Sequence, residues 1–468
     1  MISYFRSILP SRLLLLILLF LALQVPLLLA GVPATIPELL HMLVGERMAD
    51  GFGMYRQIYD NTAPLAALIY WVVDLLAGRS FLVYRAVALA LLLLQALLFN
   101  ITLNRHNVYA EKNYLPALIY LTLSSLSFEF SMLTPLLIGN TFLILSLPYI
   151  VTMSREGFEN NRLFVGGFMI GLAGLSYLPL ALFLVVGLFA VIFFASSTFR
   201  SSMLMLCGFA FPYAAVITYY LYIGALNEFV LLHLFQPWHF QVSFILAPAD
   251  LIKLLALPAL VLGLSLLAML SLPQRLVFQV KFEQVLWVWL VMSLVMVFSR
   301  REISAGTFVV MLPPIAYFSE FFFTSARKKW VLNLVFLVVL AGVLLLRYRQ
   351  LLGLDRFLKI NETALLLPDN TPAPNINHTT VLVLGNDISY YAHNKPVTPY
   401  LNWQLAQRDF RHLSEYQTVF DIYKNMQPEQ PAYIIDKAGL MPTLQYKLPA
   451  VFGKYKATTS AGVYERVR

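Results

Sequence analysis

Seven charged residues crowd into one short stretch of an otherwise apolar chain. Residues 45–79 read GERMADGFGMYRQIYDNTAPLAALIYWVVDLLAGR and hold Glu46, Asp50, Asp60, Asp74, Arg47, Arg56 and Arg79. Carboxylates of this kind serve as proton acceptors or cation ligands, and an arginine fork recognises phosphate through paired N–H donors. At a membrane boundary such groups are costly unless they are paired, hydrated or functional. Three aromatics, Phe52, Tyr55 and Tyr59, interleave with them. Away from this stretch, the pair Arg300 and Arg301 ends a hydrophobic run, and 226–249 carries His233, Gln236, Trp238, His239 and Gln241. Trp238 and His239 are candidates for stacking on and binding a sugar; an interfacial aromatic belt is the alternative.

The elements that must position these residues are membrane helices. The 468 residues are 59% hydrophobic and 12% charged, with a mean hydropathy of +0.73. Soluble domains carry roughly 45–50% apolar and about 25% charged residues. A soluble enzyme, a coiled coil and a disordered chain are thereby excluded. The net charge of +9 marks cytoplasmic loops rather than nucleic-acid binding. The single cysteine, Cys207, excludes an intrachain disulfide and a cysteine metal cluster.

Apolar runs predict about eleven transmembrane helices, near 12–31, 81–103, 113–132, 134–153, 163–179, 181–198, 203–225, 250–271, 284–298, 305–323 and 329–346. The first is read as a spanning helix, an uncleaved signal anchor, because no small-residue cleavage site follows it. The stretch 63–77 is too short to span and reads as re-entrant or interfacial. Ahead of it, Ile36–Val44 forms an interfacial helix with Pro37 in its first turn. Basic residues alternate between loops. Arg6 and Arg12, Arg105 and Lys112, Arg155 and Arg162, Arg200, Arg275 and Lys281, and Arg327 to Lys329 share one side, which the positive-inside rule makes cytoplasmic. The outer loop 32–80 and the C-terminus then lie outside. Arg300 and Arg301 break the trend, which favours a role beyond anchoring.

Residues 347–468 hold 24 charged residues, against 33 in 1–346. The chain therefore divides into a transmembrane part, 1–346, a linker, 347–378, rich in Pro, Asn and Thr over 361–378, and a small soluble α/β domain, 379–468. TTVLVLG at 379–385 and PAYIID at 431–436 read as strands, joined through a helical pattern over 402–426 whose apolar positions are Leu405, Phe410, Leu413, Tyr416, Phe420 and Tyr423. Strand, helix, strand predicts a parallel pair. No GxGxxG or P-loop follows either strand.

The order Asp50-Gly51, Met54-Tyr55-Arg56, Asp60-Asn61-x-x-Pro64-Leu65, continued by GRSFLVYR at 78–85, resembles the first outer loop of the GT-C superfamily of membrane glycosyltransferases, such as the protein mannosyltransferases and lipid A aminoarabinose transferases. The late helix FVVMLPPIAY at 308–317 and the outward C-terminal α/β domain fit the same order of parts. The resemblance implies an inverting transfer of a sugar from a polyprenyl-phosphate donor to a glycan, lipid or protein acceptor on the outer face. It makes Asp50 the base or acceptor-orienting residue. Asp60 assists it, orients it, binds a divalent cation or structures the loop. Tyr55 and Arg56, with Arg300 and Arg301, become substrate-binding candidates. No Asp-x-Asp or His-x-x-x-His pattern marks a metal site. Asp50 is followed by Gly51 where the family commonly has a second acid, and a catalytically inactive GT-C-like subunit of an envelope assembly or secretion complex, working with other membrane proteins, is the alternative. A transporter is disfavoured, because the charges sit at one boundary and no repeat is visible. Compact loops without disulfides place the chain in a bacterial inner membrane, N-terminus cytoplasmic and C-terminal domain periplasmic.

Overall fold

The computed structural model describes residues 2–467 apart from 32, 152–159, 195–197, 236–242, 271–275, 300–301, 326–327, 369–375 and 398. The chain is mostly helical. Among the described residues, seven helices are long and apolar enough to cross a membrane: Pro10–Ala30, Phe81–Arg105, Phe199–Tyr222, Pro248–Met269, Val277–Phe298, Ala305–Phe323 and Lys329–Arg347. The remaining four of the eleven expected spans are shorter helices. Leu115–Ser124 has 10 residues, and Pro135–Val151 and Asn160–Ser176 have 17 each. Leu178–Phe194 is likewise shorter than a full span.

The chain divides into two units. The first comprises Met1–Val32, Leu82–Tyr220 and Gln236–Ala364. Its helix over 115–124 stops well short of the expected residue 132, for a local reason and a long-range one. The hydroxyls of Thr122, Ser124 and Ser125 all turn back onto carbonyls of the preceding turn, at 2.7, 3.0 and 2.8 Å. Such bonds compete with continuing the helix. Irregular backbone in a membrane protein survives only where its polar groups are satisfied inside the protein. Two buried ionisable side chains do this. Arg347 donates through Nη1 to the carbonyls of Ser125 (3.4 Å) and Ser127 (3.2 Å), and through Nη2 to Gln24 Oε1 and Ser131 Oγ. The carboxylate of Glu129 accepts from the backbone N–H of Ala305 (3.2 Å) and Gly306 (3.0 Å), capping the start of the helical run Ala305–Phe323. A cation at exposed carbonyls and an anion at exposed N–H groups each complement the helix-end charge. Elsewhere, glycines let helices touch. A Cβ on Gly167 would lie 2.1 Å from the Met205 carbonyl, and one on Gly208 would lie 2.1 Å from that of Phe164. Such small-residue contacts drive helix association in lipid.

The second unit comprises Pro33–Phe81, Leu221–Phe235 and Leu365–Arg468. The outer loop of the sequence thus packs with the C-terminal segment. Its two helices are Ile36–Ala49 and Pro64–Ala77, with 14 residues each. At about 1.5 Å per residue, each is about 21 Å long, too short to cross. Thr35 caps the first: its Oγ1 accepts from Glu38 N (3.3 Å) and donates to Glu38 Oε2 (3.0 Å). His41 stacks on Tyr70, centroids 5.0 Å apart, to join the two helices. The C-terminal segment forms a five-stranded sheet in the order Lys395–Pro396, Thr380–Leu384, Tyr433–Asp436, Val463–Arg466, Tyr455–Ala457. The first three strands run parallel and the last two pair antiparallel. The parallel pairing of the two strands read from sequence is present. The single helix expected over 402–426 is instead two, Trp403–Arg411 and Tyr416–Asn425. Breaking the helix resets its phase. Leu405, Phe410 and Leu413 are buried as expected, whereas Tyr416 and Phe420 are exposed and Ile422 and Met426 face the core.

Candidate functional site

The helix Ile36–Ala49 ends at Asp50, whose N–H still donates to the Glu46 carbonyl at 2.9 Å. Gly51 follows with φ +94°, a left-handed turn that a side chain would resist. Asp50 is therefore delivered at a helix end, exposed to solvent. Both its oxygens are engaged. Oδ2 takes Arg47 Nη1 at 3.1 Å, one turn back on the same helix. Oδ1 takes Lys395 Nζ at 2.7 Å, from the edge strand of the C-terminal sheet. The Arg47 guanidinium is buried, lies 4.1 Å from the Phe52 ring centroid, and also pairs with Glu429. A second arginine, Arg79, ties Glu46 to the same strand region. Its Nε donates to Glu46 Oε2 at 3.0 Å, and its Nη1 to the carbonyls of Tyr391 (2.5 Å) and Asn394 (3.1 Å). Lys395, Asp50, Arg47 and Glu429 thus form one alternating chain of charges, with the Arg79–Glu46 pair beside it.

Asp60 and Tyr55 lie in a different arrangement, joined through Thr62. The Asp60 carboxylate is fully buried, and its Oδ1 accepts from Thr62 N at 2.7 Å and from the Thr62 hydroxyl. Its Oδ2 accepts from Asn402 Nδ2 at 3.0 Å. Burial pushes the Asp60 pKa up, more than the hydrogen bonds from Thr62 and Asn402 pull it down. Tyr55 is buried with φ +69°, donates its hydroxyl to the Thr62 carbonyl at 2.8 Å, and sets its ring edge against Phe229. A non-glycine residue at positive φ is strained, and tertiary packing must hold it there. The next residue in the chain, Arg56, is exposed, and its guanidinium makes no ion pair or hydrogen bond among the described residues. Arg300, Arg301, Trp238 and His239 lie outside the described residues.

Two of these charges, Lys395 and Glu429, were not singled out from the sequence, whereas Arg47 was. Arg47 was legible, since a residue three before Asp50 on a helix shares its face. Lys395 and Glu429 were not, because only folding brings them to the helix. Asp74 is a further acid of this unit. It is buried, and its Oδ1 has no hydrogen-bond partner. Burial, then Glu46, raises its pKa, with Arg79 and Lys395 opposing. Among the described residues no group of three or more His, Cys, Asp or Glu side chains is placed to hold a metal ion.

No protein-family model matches the sequence, and no curated protein matches it significantly. Solved structures do. The crystal structure of ArnT from Cupriavidus metallidurans bound to undecaprenyl phosphate is 13% identical, with 98% of this chain and 97% of that one covered and a TM-score of 0.56. The oligosaccharyltransferase of Archaeoglobus fulgidus in the apo form is 12% identical, with 98% of this chain and 74% of that one covered and a TM-score of 0.47, too loose to argue from. At such identity the first likeness is one of fold, and it spans nearly the whole chain: the protein has the membrane GT-C fold.

Proposed function

We propose that the protein is a glycosyltransferase of the bacterial inner membrane. It moves a sugar from a polyprenyl-phosphate donor to a glycan, lipid or protein acceptor on the outer face. The observation that carries this reading is the fold shared over 98% of the chain with ArnT, whose crystal structure is bound to undecaprenyl phosphate. The topology that goes with it has eleven crossings, a cytoplasmic N-terminus and a periplasmic α/β domain, following the basic loops.

In this reading Asp50 takes the proton of the acceptor nucleophile as that oxygen attacks the anomeric carbon. The bond from that carbon to the donor phosphate oxygen breaks, and the phosphate leaves as an anion. Cations stabilise the departing charge. Arg56, exposed and unengaged six residues beyond Asp50, is a donor-phosphate ligand, together with Arg300 and Arg301. Trp238 and His239 bind the sugar. Asp60 supports the loop that carries Arg56, since its oxygens are occupied by Thr62 and Asn402. Tyr55 supports the same loop from within.

One observation favours a second reading. Both oxygens of Asp50 are held in ion pairs, as a purely structural acid would be. A catalytically inactive GT-C-like subunit of an envelope assembly fits that state. The deciding experiment is a transfer assay with purified protein and polyprenyl-phosphate sugars, comparing wild type with Asp50→Asn at equal membrane abundance. Turnover that is lost in the variant supports the enzyme. Absence of turnover with every donor, in a folded wild type, supports the subunit.

A further inference from the structure

The two cations on Asp50 differ in freedom. Arg47 is 1% exposed at its side chain and is pinned on its other side by Glu429. Lys395 is 41% exposed, and its only side-chain partner among the described residues is Asp50. An arginine fork locked in packing holds geometry, while a lysine on a flexible stem exchanges partners. Its strand backbone is nevertheless fixed. Lys395 N donates to Thr379 O at 2.9 Å, and Arg79 holds the Asn394 carbonyl beside it. The ammonium can therefore move by side-chain rotation alone.

We propose that Lys395 is a displaceable latch on Asp50. Without a ligand it holds Oδ1. A phosphate group entering the site takes over the ammonium and leaves Oδ1 open, while Arg47 keeps Oδ2 in place. The C-terminal segment is then part of the site, with Lys395 as positioning residue for Asp50 and ligand for the phosphate. The ligand class is a phosphate monoester or diester, carried on a lipid or free in solution. The choice of phosphate as the ligand rests on the transferase reading, while the displaceable ion pair rests on the geometry. The swap exchanges one ion pair for another, with no change in covalent bonds.

The test is zero-length cross-linking of the full-length protein in lipid nanodiscs. A water-soluble carbodiimide joins a carboxylate to an ammonium group only where the two are in contact. Mass spectrometry is expected to find an Asp50–Lys395 amide in the wild type, and undecaprenyl phosphate bound before the carbodiimide is added is expected to prevent most of it from forming. Lys395→Met is expected to weaken undecaprenyl phosphate binding about ten- to a hundredfold, the loss of one charge-assisted hydrogen bond, and Lys395→Arg to restore most of it. Displacement by inorganic phosphate at equal concentration keeps the latch and assigns it to free phosphate. No amide in the untreated wild type, an amide that undecaprenyl phosphate leaves unchanged, or displacement by undecaprenol, which carries no phosphate, overturns it. A cross-link that responds to undecaprenyl phosphate in a protein that transfers no sugar leaves the latch standing and removes the transferase.

Discussion

Lys395 Nζ lies 2.7 Å from Asp50 Oδ1, although the two residues are 345 positions apart. The pair does not stand alone. Tyr59 N donates to the Pro399 carbonyl at 2.7 Å, Asn402 reaches Asp60, and Arg47 reaches Glu429. Residues 47–60 are thus stitched along their length to the C-terminal segment. An exposed ion pair alone contributes about 0–1 kcal/mol. The Lys395–Asp50 bond is therefore better suited to positioning a carboxylate than to stabilising the fold.

Asp50→Asn keeps the size of the side chain and removes the base. Transfer from a lipid-linked donor is expected to fall about 10²–10⁴-fold, with unchanged membrane abundance. Full activity in the variant would remove Asp50 from the catalytic role.

Asp60→Asn addresses the buried carboxylate. Burial raises the folded pKa of Asp60 above the ordinary value of 3.8. Its contribution is therefore fully present below pH 3.8 and lost as pH rises through the folded value. Thermal unfolding in detergent is expected to show the wild type losing stability over that rise, with this component absent in Asp60→Asn. Parallel pH curves for the two proteins would contradict the assignment.

Glu129→Ala removes the acceptor for Ala305 N and Gly306 N. One buried and one half-buried N–H group then lose their partner, at about 1–3 kcal/mol for the buried one. A lowered melting temperature is the expected result, with Glu129→Gln recovering part of the loss because its amide oxygen still accepts.

Gly167→Val forces atoms into the Met205 backbone, where a Cβ alone comes within 2.1 Å. Overpacking of this kind costs about 1–3 kcal/mol or more. Fluorescence-detected size exclusion after heating should show early loss of the monodisperse peak. Gly263→Ala, where nothing lies within 4 Å, is the control and should leave it unmoved.

A reporter fused after Leu346 is expected to behave as periplasmic. A cytoplasmic signal would put 45–60 on the wrong side and remove the proposed site.

Composition and hydropathy were sufficient to identify a membrane protein, because the cost of exposing polar backbone and side chains to lipid leaves few alternatives. Local pattern was sufficient for the short helix 64–77, the strands at 380–384 and 433–436, and the concentration of charge around Asp50. Residue types and spacings there also carried the resemblance to the GT-C fold. Helix interruptions were less legible. The stop after Ser124 depends on hydroxyls bonding to the preceding turn and on Arg347 meeting the freed carbonyls, and Arg347 is 222 residues away from Ser125. The break at 412–415 likewise reversed the burial expected for Tyr416 and Phe420. The difference within the site has the same origin. Arg47 meets Asp50 by helical geometry, which is periodic and local. Lys395 and Asn402 meet their carboxylates, and Glu429 meets Arg47, only because an edge strand, a helix start and a loop of the C-terminal segment pack there, and Asp60 is buried by that same packing. Sequence spacing sets which neighbours a residue has within one element; which charges are paired, buried or left open depends on long-range packing, and only the tertiary structure decides that.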